Sequence, residues 1–567
     1  MKIYIKRFIA LLLTGAMLLS LASCTSSQSR KRDSSCLNIS IASEPRHLDP
    51  ALTLNISDAT LALNSFEGLY RYDENGDLEP ACAISCELSE DGKTYTFTMR
   101  EGLKWSNGDS LDARDFVYSW KRLADPETAA GYGYLCEIFG DAYDPDRGLS
   151  DDAVVASEDG KTLTVTLDTV CPYFLELTAF PVFYPVYQKS VEETASQTEP
   201  AGTWSQEAGD SFVCNGAYQP KKWKHDFSLV YSKNPNYWDA ENVSIDTLNF
   251  MLTENTVSSY TAYESGDLDF CYNVPTDDIQ AVSNTEEFHT VDCLGTMFLV
   301  FNYNSSIYGR LGLDEEEAKV FRHAINLLID RQYIADALGQ TGQQAADTLI
   351  PRAASDGNDG IFEDGFEGYY DAEDYEGNVE QAKELLASIG LWDQKKGKLT
   401  RKVSFSFMTM NSEMRRKLAE AIQGDLAEIG IDLVIDTQEY NVFLDYMKKG
   451  RYDFAFWSWT MDYNDPINML ETCESKSGNN VMHLGQDASA QLDWTQYDKL
   501  ISRIRRTADT AERSDLMHQA EDMIMDTWCA VPIYYHNDYY MLKDYVKGVQ
   551  INPVGIICFY HASVELE

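Results

Sequence analysis

The sequence predicts an α/β protein of at least two domains, on three observations. Strand-like and helix-like segments alternate between residues 403 and 466. The chain runs to 567 residues, more than one hydrophobic core ordinarily spans. Beyond the first two dozen residues no uninterrupted apolar run approaches the ~18 needed to cross a bilayer, so the body reads as globular.

The alternating unit comes first because it ends on a charge. Val403 to Phe407 is strand-like, and Ser412 to Ile429 reads as a helix with a capping serine before it and Gly430 after it. Ile431 to Ile435 alternates as a strand, and Tyr440 to Lys449 is a short amphipathic piece. Phe454 to Trp459 is too short and too aromatic for a helix, and Asn464-Asp465-Pro466 stops it with a turn. This βαβαβ pattern sets Asp462 at the carboxyl end of its last strand. In open α/β sheets ligands bind in the crevice beyond those ends. Two readings of Asp462 follow: a ligand-facing carboxylate, or a turn and helix cap. Asp462 and Asp465 also form a carboxylate pair, but their spacing does not define the carboxyl separation a glycosidase requires.

Further helices are expected at Ala113–Arg122, Ala318–Asp336 behind the acidic run Asp314 to Glu317, Val379–Ile389 started by Asn378, and Ala508–Trp528. Strands are expected at Leu37–Ala42, Tyr95–Arg100, Lys161–Leu167 and Val531–Tyr534.

The amino terminus reads as an export signal. Lys2, Lys6 and Arg7 precede an apolar run from Phe8 to Leu21, which is too short to span a membrane. Leu21-Ala22-Ser23-Cys24 resembles a bacterial lipobox, which implies a lipidated Cys24. The Ser-rich stretch to residue 36 suits a flexible tether.

Composition excludes several classes. A formal charge of −45 leaves no positive footprint for nucleic acid. Twelve cysteines, Cys24 among them, leave an odd number for the body, and Cys82 and Cys86 lack metal-site spacing. The eight histidines form no His-Glu-x-x-His, and no Gly-x-Ser-x-Gly elbow occurs. Gly390 to Lys398 fails the phosphate-loop spacing. Asp73 to Asp77 begins like a calcium loop but has Leu78 where the turn glycine belongs. No enzyme activity, metal or cofactor is expected.

A set of ordered motifs then spans nearly the whole body. They are Glu67-Gly68-Leu69, Asp91-Gly92-Lys93 before Tyr95-Thr96-Phe97, Lys104-Trp105-Ser106-Asn107-Gly108-Asp109, and Asp115-Phe116-Val117-Tyr118-Ser119-Trp120. Farther on come Asn215-Gly216-Ala217-Tyr218, Asn234-Pro235 before Tyr237-Trp238, Phe321-Arg322-His323-Ala324, and Val531-Pro532-Ile533-Tyr534-Tyr535. Together they resemble the peptide/nickel class of solute-binding proteins of bacterial ABC importers, closest to the oligopeptide-binding branch. The resemblance implies a two-lobed, periplasmic-binding-protein-like α/β fold with an additional subdomain in the first lobe and a cleft between lobes. It implies an oligopeptide ligand, ABC-importer permease subunits as partners, a monomer, and a lipid anchor at the outer face of the membrane.

The resemblance also distributes the chain. Residues 37–65, 200–294 and 533–567 would form the core of lobe I, residues 66–199 its inserted subdomain, and residues 295–532 lobe II, with crossings near Gly295 and Ile533. Trp459-Thr460-Met461-Asp462-Tyr463 matches the segment whose aspartate pairs with the peptide's α-ammonium. A receptor for varied peptides can rely only on their termini and backbone, and strand-like backbone from Ser458 to Thr460 is suited to pairing with a ligand strand. The expected ligand-binding residues are Asp462, Trp459, Ser458, Thr460, Tyr463, Asn215, Gly216, Ala217, Tyr218, Tyr132, Glu44 and Tyr535, with Tyr134 beside Tyr132. Phe456 is apolar where some relatives carry a basic residue, so the motifs supply no partner for a peptide carboxylate. A nickel chelate, an oligosaccharide or haem on the same fold, and a surface signalling lipoprotein, are the other readings.

Overall fold

The computed structural model describes residues 32–41, 44–73, 77–272, 274–357, 360–486, 492–552 and 554–566. The export signal, Cys24 and most of the tether lie outside them. The frame is one sheet of ten strands. In chain order these are β1 (Cys36–Ile41), β2 (Tyr218–Lys224), β3 (Ser228–Lys233), β4 (Thr247–Leu252), β5 (Phe270–Tyr272), β6 (Phe288–Phe301), β7 (Ser404–Met410), β8 (Asp432–Gln438), β9 (Phe454–Thr460) and β10 (Ala530–Leu542). Across the sheet they lie in the order β2-β3-β4-β1-β5-β10-β6-β9-β7-β8.

Strands from the early part of the chain therefore occupy one half and those after residue 400 the other. β6 and β10 are antiparallel and run through the middle, the only long strands shared by both halves among the described residues. Their register shifts between Asp292 and Thr296, around Gly295, where the chain was expected to cross. A Cβ on Gly295 would lie 2.9 Å from His536 Cδ2 and 2.9 Å from Thr460 Oγ1, so this close approach requires glycine.

The βαβαβ unit forms as expected. β7 pairs in parallel with β8 and with β9. The connecting helix spans Glu413–Glu428 with Ser412 as its N-cap, and Gly430 leaves it in the left-handed region at φ +90°. Phe301, Phe405, Phe407 and Phe454 pack together beneath the sheet, with Phe301 and Phe454 stacked at 4.2 Å. Apolar burial of that kind stabilises by roughly 25 cal/mol per Å2.

Two helices differ from expectation. The helix expected at Ala318–Asp336 is Glu315–Leu327, closed by an Asp314–Glu317 capping box, and a separate π-helical turn covers Ile334–Gly339. Asp330 caps the short helix Arg331–Tyr333 that leads into this turn, accepting from the Tyr333 amide, which fixes the break. Asn378 does not start its helix. Asp374 does, and Asn378 lies one turn in, donating to the Asp371 carbonyl. Sequence alone does not rank two capping residues four positions apart.

Residues 83–166 add a four-stranded antiparallel sheet backed by the helix Ala113–Ala124. Trp105, Phe116 and Trp120 are fully buried there. This layer carries the segment around Tyr132 toward β9.

Candidate functional site

β9 delivers the site. On one edge it pairs with β6 from Gly295–Thr460 to Phe301–Phe454. On the other it meets β7 only at Phe454 and Ala455. From Phe456 to Thr460 that second edge has no strand beside it among the described residues. β7 has ended at Met410, and the chain has turned into the helix that begins at Glu413.

Past Thr460 the Met461 amide donates to the Leu294 carbonyl at 2.7 Å, and the chain turns. Asn468 holds the turn. Its Oδ1 accepts from Trp459 Nε1 at 3.0 Å and from the Asp462 amide at 3.1 Å. Asp462 is thus neither a helix cap nor a surface turn residue. Its Oδ1 accepts from the Tyr132 hydroxyl at 3.2 Å and its Oδ2 from the Tyr134 hydroxyl at 2.9 Å, both some 330 residues away in sequence. Asn468 Nδ2 adds a long contact of 3.5 Å.

Among the described residues no cationic side chain pairs with Asp462. Burial holds its carboxyl above the ordinary aspartate range, and the hydroxyl and amide hydrogen bonds offset only part of that. A cavity of about 810 Å3 opens onto it, lined by Tyr132, Tyr134, Trp459, Asp462, Glu471 and Arg505 among others. The Arg505 guanidinium is committed to Glu471 at 2.8 Å and Glu474 at 2.6 Å. Asp465, the other member of the carboxylate pair, is sealed inside with Arg513 in two hydrogen bonds of 2.6 and 2.9 Å, which removes it from any acid–base role.

Where the free edge of β9 begins, a second group of side chains assembles. Ser458 Oγ and His536 Nε2 are 2.6 Å apart, and the Tyr534 ring meets His536 edge-on at 5.6 Å. The Arg415 guanidinium, from the first turn of the helix after β7, lies 3.4 Å from the centre of the Phe456 ring. Burial lowers Arg415 to about 10, and burial together with the Arg415 charge lowers His536 to about 4. The imidazole is therefore neutral at ordinary pH. Motif reading missed this group because Arg415 belongs to an otherwise solvated helix start, and nothing in sequence ties it to β9.

The other expected residues separate into two sets. Trp459, Asp462, Tyr132 and Tyr134 come together, and Thr460 lies exposed at the end of the free edge. Tyr463 is buried, stacked on Tyr173 at 4.3 Å, and supports the turn rather than facing the cavity. Tyr535 points to the other side of β10 from Tyr534, where its hydroxyl donates to Asp347 at 2.9 Å and meets Thr348. The strand's alternation puts the neighbouring Tyr534 on the site face instead.

Asn215, Gly216, Ala217 and Tyr218 are a structural junction. Asn215 Nδ2 donates to the Glu67 carbonyl, and its Oδ1 accepts from the Glu67 amide. A Cβ on Gly216 would sit 2.6 Å from the Phe66 nitrogen, so the close approach it permits is to the chain's own backbone. Ala217 and Tyr218 are buried. Glu44 is held by Trp223 Nε1 at 2.9 Å, by His225 and by the Asp226 amide, so its carboxylate is already committed.

The profile of the bacterial extracellular solute-binding proteins, family 5 Middle, matches residues 77–481. The chain belongs to this family. It is 31% identical to the oligopeptide-binding protein OppA of Bacillus subtilis, over 94% of both chains, and 31% identical to the dipeptide-binding protein DppE of the same organism, over 92% and 90%. Among solved structures it resembles Haemophilus influenzae OppA in complex with RPPGFSPFR, with a TM-score of 0.72 at 26% identity over 94% and 99%. The unliganded open form of the murein tripeptide-binding protein MppA gives a TM-score of 0.74 over 94% and 98%, at 24% identity.

The two-lobed α/β fold with a large central sheet is that of these periplasmic peptide-binding proteins. A member of this family binds a solute outside the cytoplasm and is not an enzyme. No helix among the described residues is long and apolar enough to cross a membrane.

Proposed function

We propose that this family 5 protein captures oligopeptides for an ABC importer, binding the peptide α-ammonium at Asp462 and the peptide backbone along the free edge of β9. The carboxylate of Asp462 carries the reading: it is largely buried, accepts from two tyrosine hydroxyls, and has no cationic partner among the described residues. An ammonium supplies the missing charge. At ~4 Å and an effective dielectric of ~20 the attraction is ~4 kcal/mol before desolvation. Free strand edges are what β-augmentation uses. The Bacillus and Haemophilus relatives, named for oligopeptide binding, support the same ligand class.

In this reading Tyr132 and Tyr134 on one lobe and Asp462 on the other close over the ligand, with β6 and β10 flexing near Gly295 and Ile533, a population shift driven by contacts to both lobes. The lobes divide at the boundaries set out above. In the same reading the protein is a monomer, exported by its amino-terminal signal and lipid-anchored through Cys24 at the outer face of the membrane, where it hands peptide to permease subunits. Mass spectrometry of small molecules released on denaturing the purified protein tests the ligand class. Peptides are expected, and recovery of a sugar, haem or metal chelate without peptides would overturn the reading.

A further inference from the structure

Glu363 and Glu521 are buried carboxyl groups in direct contact with each other. Glu521 lies on the helix Thr510–Asp526, and its Oε1 accepts from the Leu349 and Ile350 amides at 2.7 and 2.9 Å. Its Oε2, and both oxygens of Glu363, are buried without a donor. Two ionised carboxylates left in that state are costly. One shared proton removes the cost, because the protonated carboxyl becomes the donor that the other lacks. Among the described residues no three His, Cys, Asp or Glu side chains are grouped to hold a metal ion, so the donor set suits a proton.

The surrounding groups do not neutralise the pair. Arg352, on the same segment as Glu363, is committed to Asp347 with two contacts of 2.9 Å. On the helix, Asp522 adds negative charge, and burial holds the His518 imidazole below its ordinary value. Tyr369 from the segment, Tyr497 from the preceding helix and Tyr535 from β10 are phenols that burial keeps protonated.

The contact fastens a strap. Ala345 bridges to Tyr534, and the Ala346 amide donates to the Ile533 carbonyl at 3.0 Å, which ties the strap to β10. Phe362 stacks on His518 at 3.9 Å, and the Tyr369 hydroxyl donates to Asp522 at 2.9 Å, which ties it to the helix. Between these ties the Ser355 amide donates to Asn464 Oδ1 at 2.9 Å. Asn464 stands two residues after Asp462, and the next residue, Asp465, is held by Arg513 of the same helix. Strap and helix thus support the Asp462 turn from adjoining positions.

We propose that the Glu363–Glu521 contact is a proton-closed latch: one shared proton seats the strap and steadies the turn that presents Asp462, and loss of that proton to water at alkaline pH releases the strap and weakens ligand binding. The coupling to binding rests on the proposed role of Asp462, whereas the latch itself does not. Burial, then the neighbouring carboxylate, raises Glu363, and burial raises Glu521. A raised folded value leaves the latch closed below it and opens the latch as pH rises through it.

Hydrogen-exchange mass spectrometry of the whole purified protein, from mildly acidic to alkaline pH and corrected for intrinsic exchange, tests the latch. Protection of residues 345–357, 360–370 and 461–466 is expected to fall together as pH rises, while β1 to β4 stay protected. Glu363→Gln cannot ionise but still donates to Glu521, and should keep the strap protected throughout. Infrared spectra of the wild type, which need no variant to fold, should show a buried protonated carboxyl band that disappears over the same pH step. Absence of that band, or strap protection that ignores pH, would overturn the latch. Calorimetric titration with trialanine tests the coupling. Its own amine also deprotonates at alkaline pH, so the wild type is compared with Glu363→Gln at each pH. The wild type should lose about 5-fold more affinity than the variant, as for one supporting hydrogen bond. Equal losses in both would overturn the coupling. Failure of trialanine to bind at any pH would count against the peptide reading, with the latch still decided by exchange and infrared spectra.

Discussion

Asn468 Oδ1 accepts hydrogen bonds from both the Trp459 indole and the Asp462 amide, so one buried amide group sets the strand's last aromatic side chain and the carboxylate after it in a single arrangement. Asn468 itself is almost wholly buried. Asn468→Ala would leave an indole and a backbone amide without acceptors, at roughly 1–3 kcal/mol each where burial persists. The expected outcome is a lowered melting temperature together with weaker ligand binding, read by calorimetry with and without ligand. Asn468→Asp keeps the acceptor but puts a second negative charge against Asp462, and should hold stability better at low pH than at high.

Asp462→Asn removes the charge and keeps the shape. It should weaken peptides with a free amino terminus by roughly 3–5 kcal/mol, as for one partner lost from an enclosed ion pair. Peptides N-acetylated at the same position, already weak, should hardly change. Parallel titrations check this, and equal losses for both ligand types would remove the ammonium from the assignment.

Binding should also depend on pH through the same group. Burial raises the Asp462 pKa, and only the ionised form attracts an ammonium. Affinity for a free-amine peptide is therefore full at neutral pH and falls as pH drops through that raised value, at a higher pH than an ordinary aspartate would give. A pH series of dissociation constants, compared between wild type and Asp462→Asn, isolates the contribution.

Stability has a separate titrating pair. Glu521 is fully buried with its Oε1 on the Leu349 and Ile350 amides, and Glu363 is buried beside it with neither carboxyl oxygen otherwise bonded. Burial first, then the neighbouring carboxylate, raises Glu363; burial is also the leading cause for Glu521. Asp347, Asp522 and the Arg352 guanidinium complete the surroundings. Since both folded values lie above the unfolded one of ~4.3, their contribution is fully present below about pH 4.3 and is lost as pH rises through the folded values. Glu363→Gln should flatten the decline in melting temperature from mildly acidic to alkaline pH.

At the register shift between β6 and β10, Gly295→Ala would press a methyl group against His536 and Thr460, which β10 and β9 hold in place. Overpacking of this kind costs roughly 1–3 kcal/mol. Chemical denaturation should show that loss, and ligand binding should weaken with it because Ser458, bonded to His536, lies on the same strand as the free edge.

Much of this was legible along the chain because it is local. Residue period and capping set the βαβαβ unit, with Ser412 and Gly430 at the ends of its first helix, and the turn chemistry after Trp459 put Asp462 beyond a strand end. Ordered motifs placed the chain in its family. They also marked Tyr132 and Tyr134 as candidates to line the cleft, and only the fold brings their hydroxyls to Asp462, some 330 residues away. What the residues could not carry is which of several neighbours a strand face presents. Tyr535 and Tyr534 differ by one position, and only the pairing of β10 with β6 assigns the second to the site and the first to Asp347.

Likewise Asn215 to Tyr218 read as a cleft turn until the fold set them against Glu67 and Phe66, where their hydrogen bonds are spent on the chain itself. Sequence by itself determined the family, the α/β class and the position of the Asp462 carboxylate just beyond a strand end, since each is written in short-range pattern. The tertiary structure alone decided that β7 parts from β9 after Ala455, leaving an edge free among the described residues, and that Arg415 stands at its start with no acceptor there for its Nη1. Both depend on where one strand stops relative to another, a relation between distant segments that no local periodicity encodes.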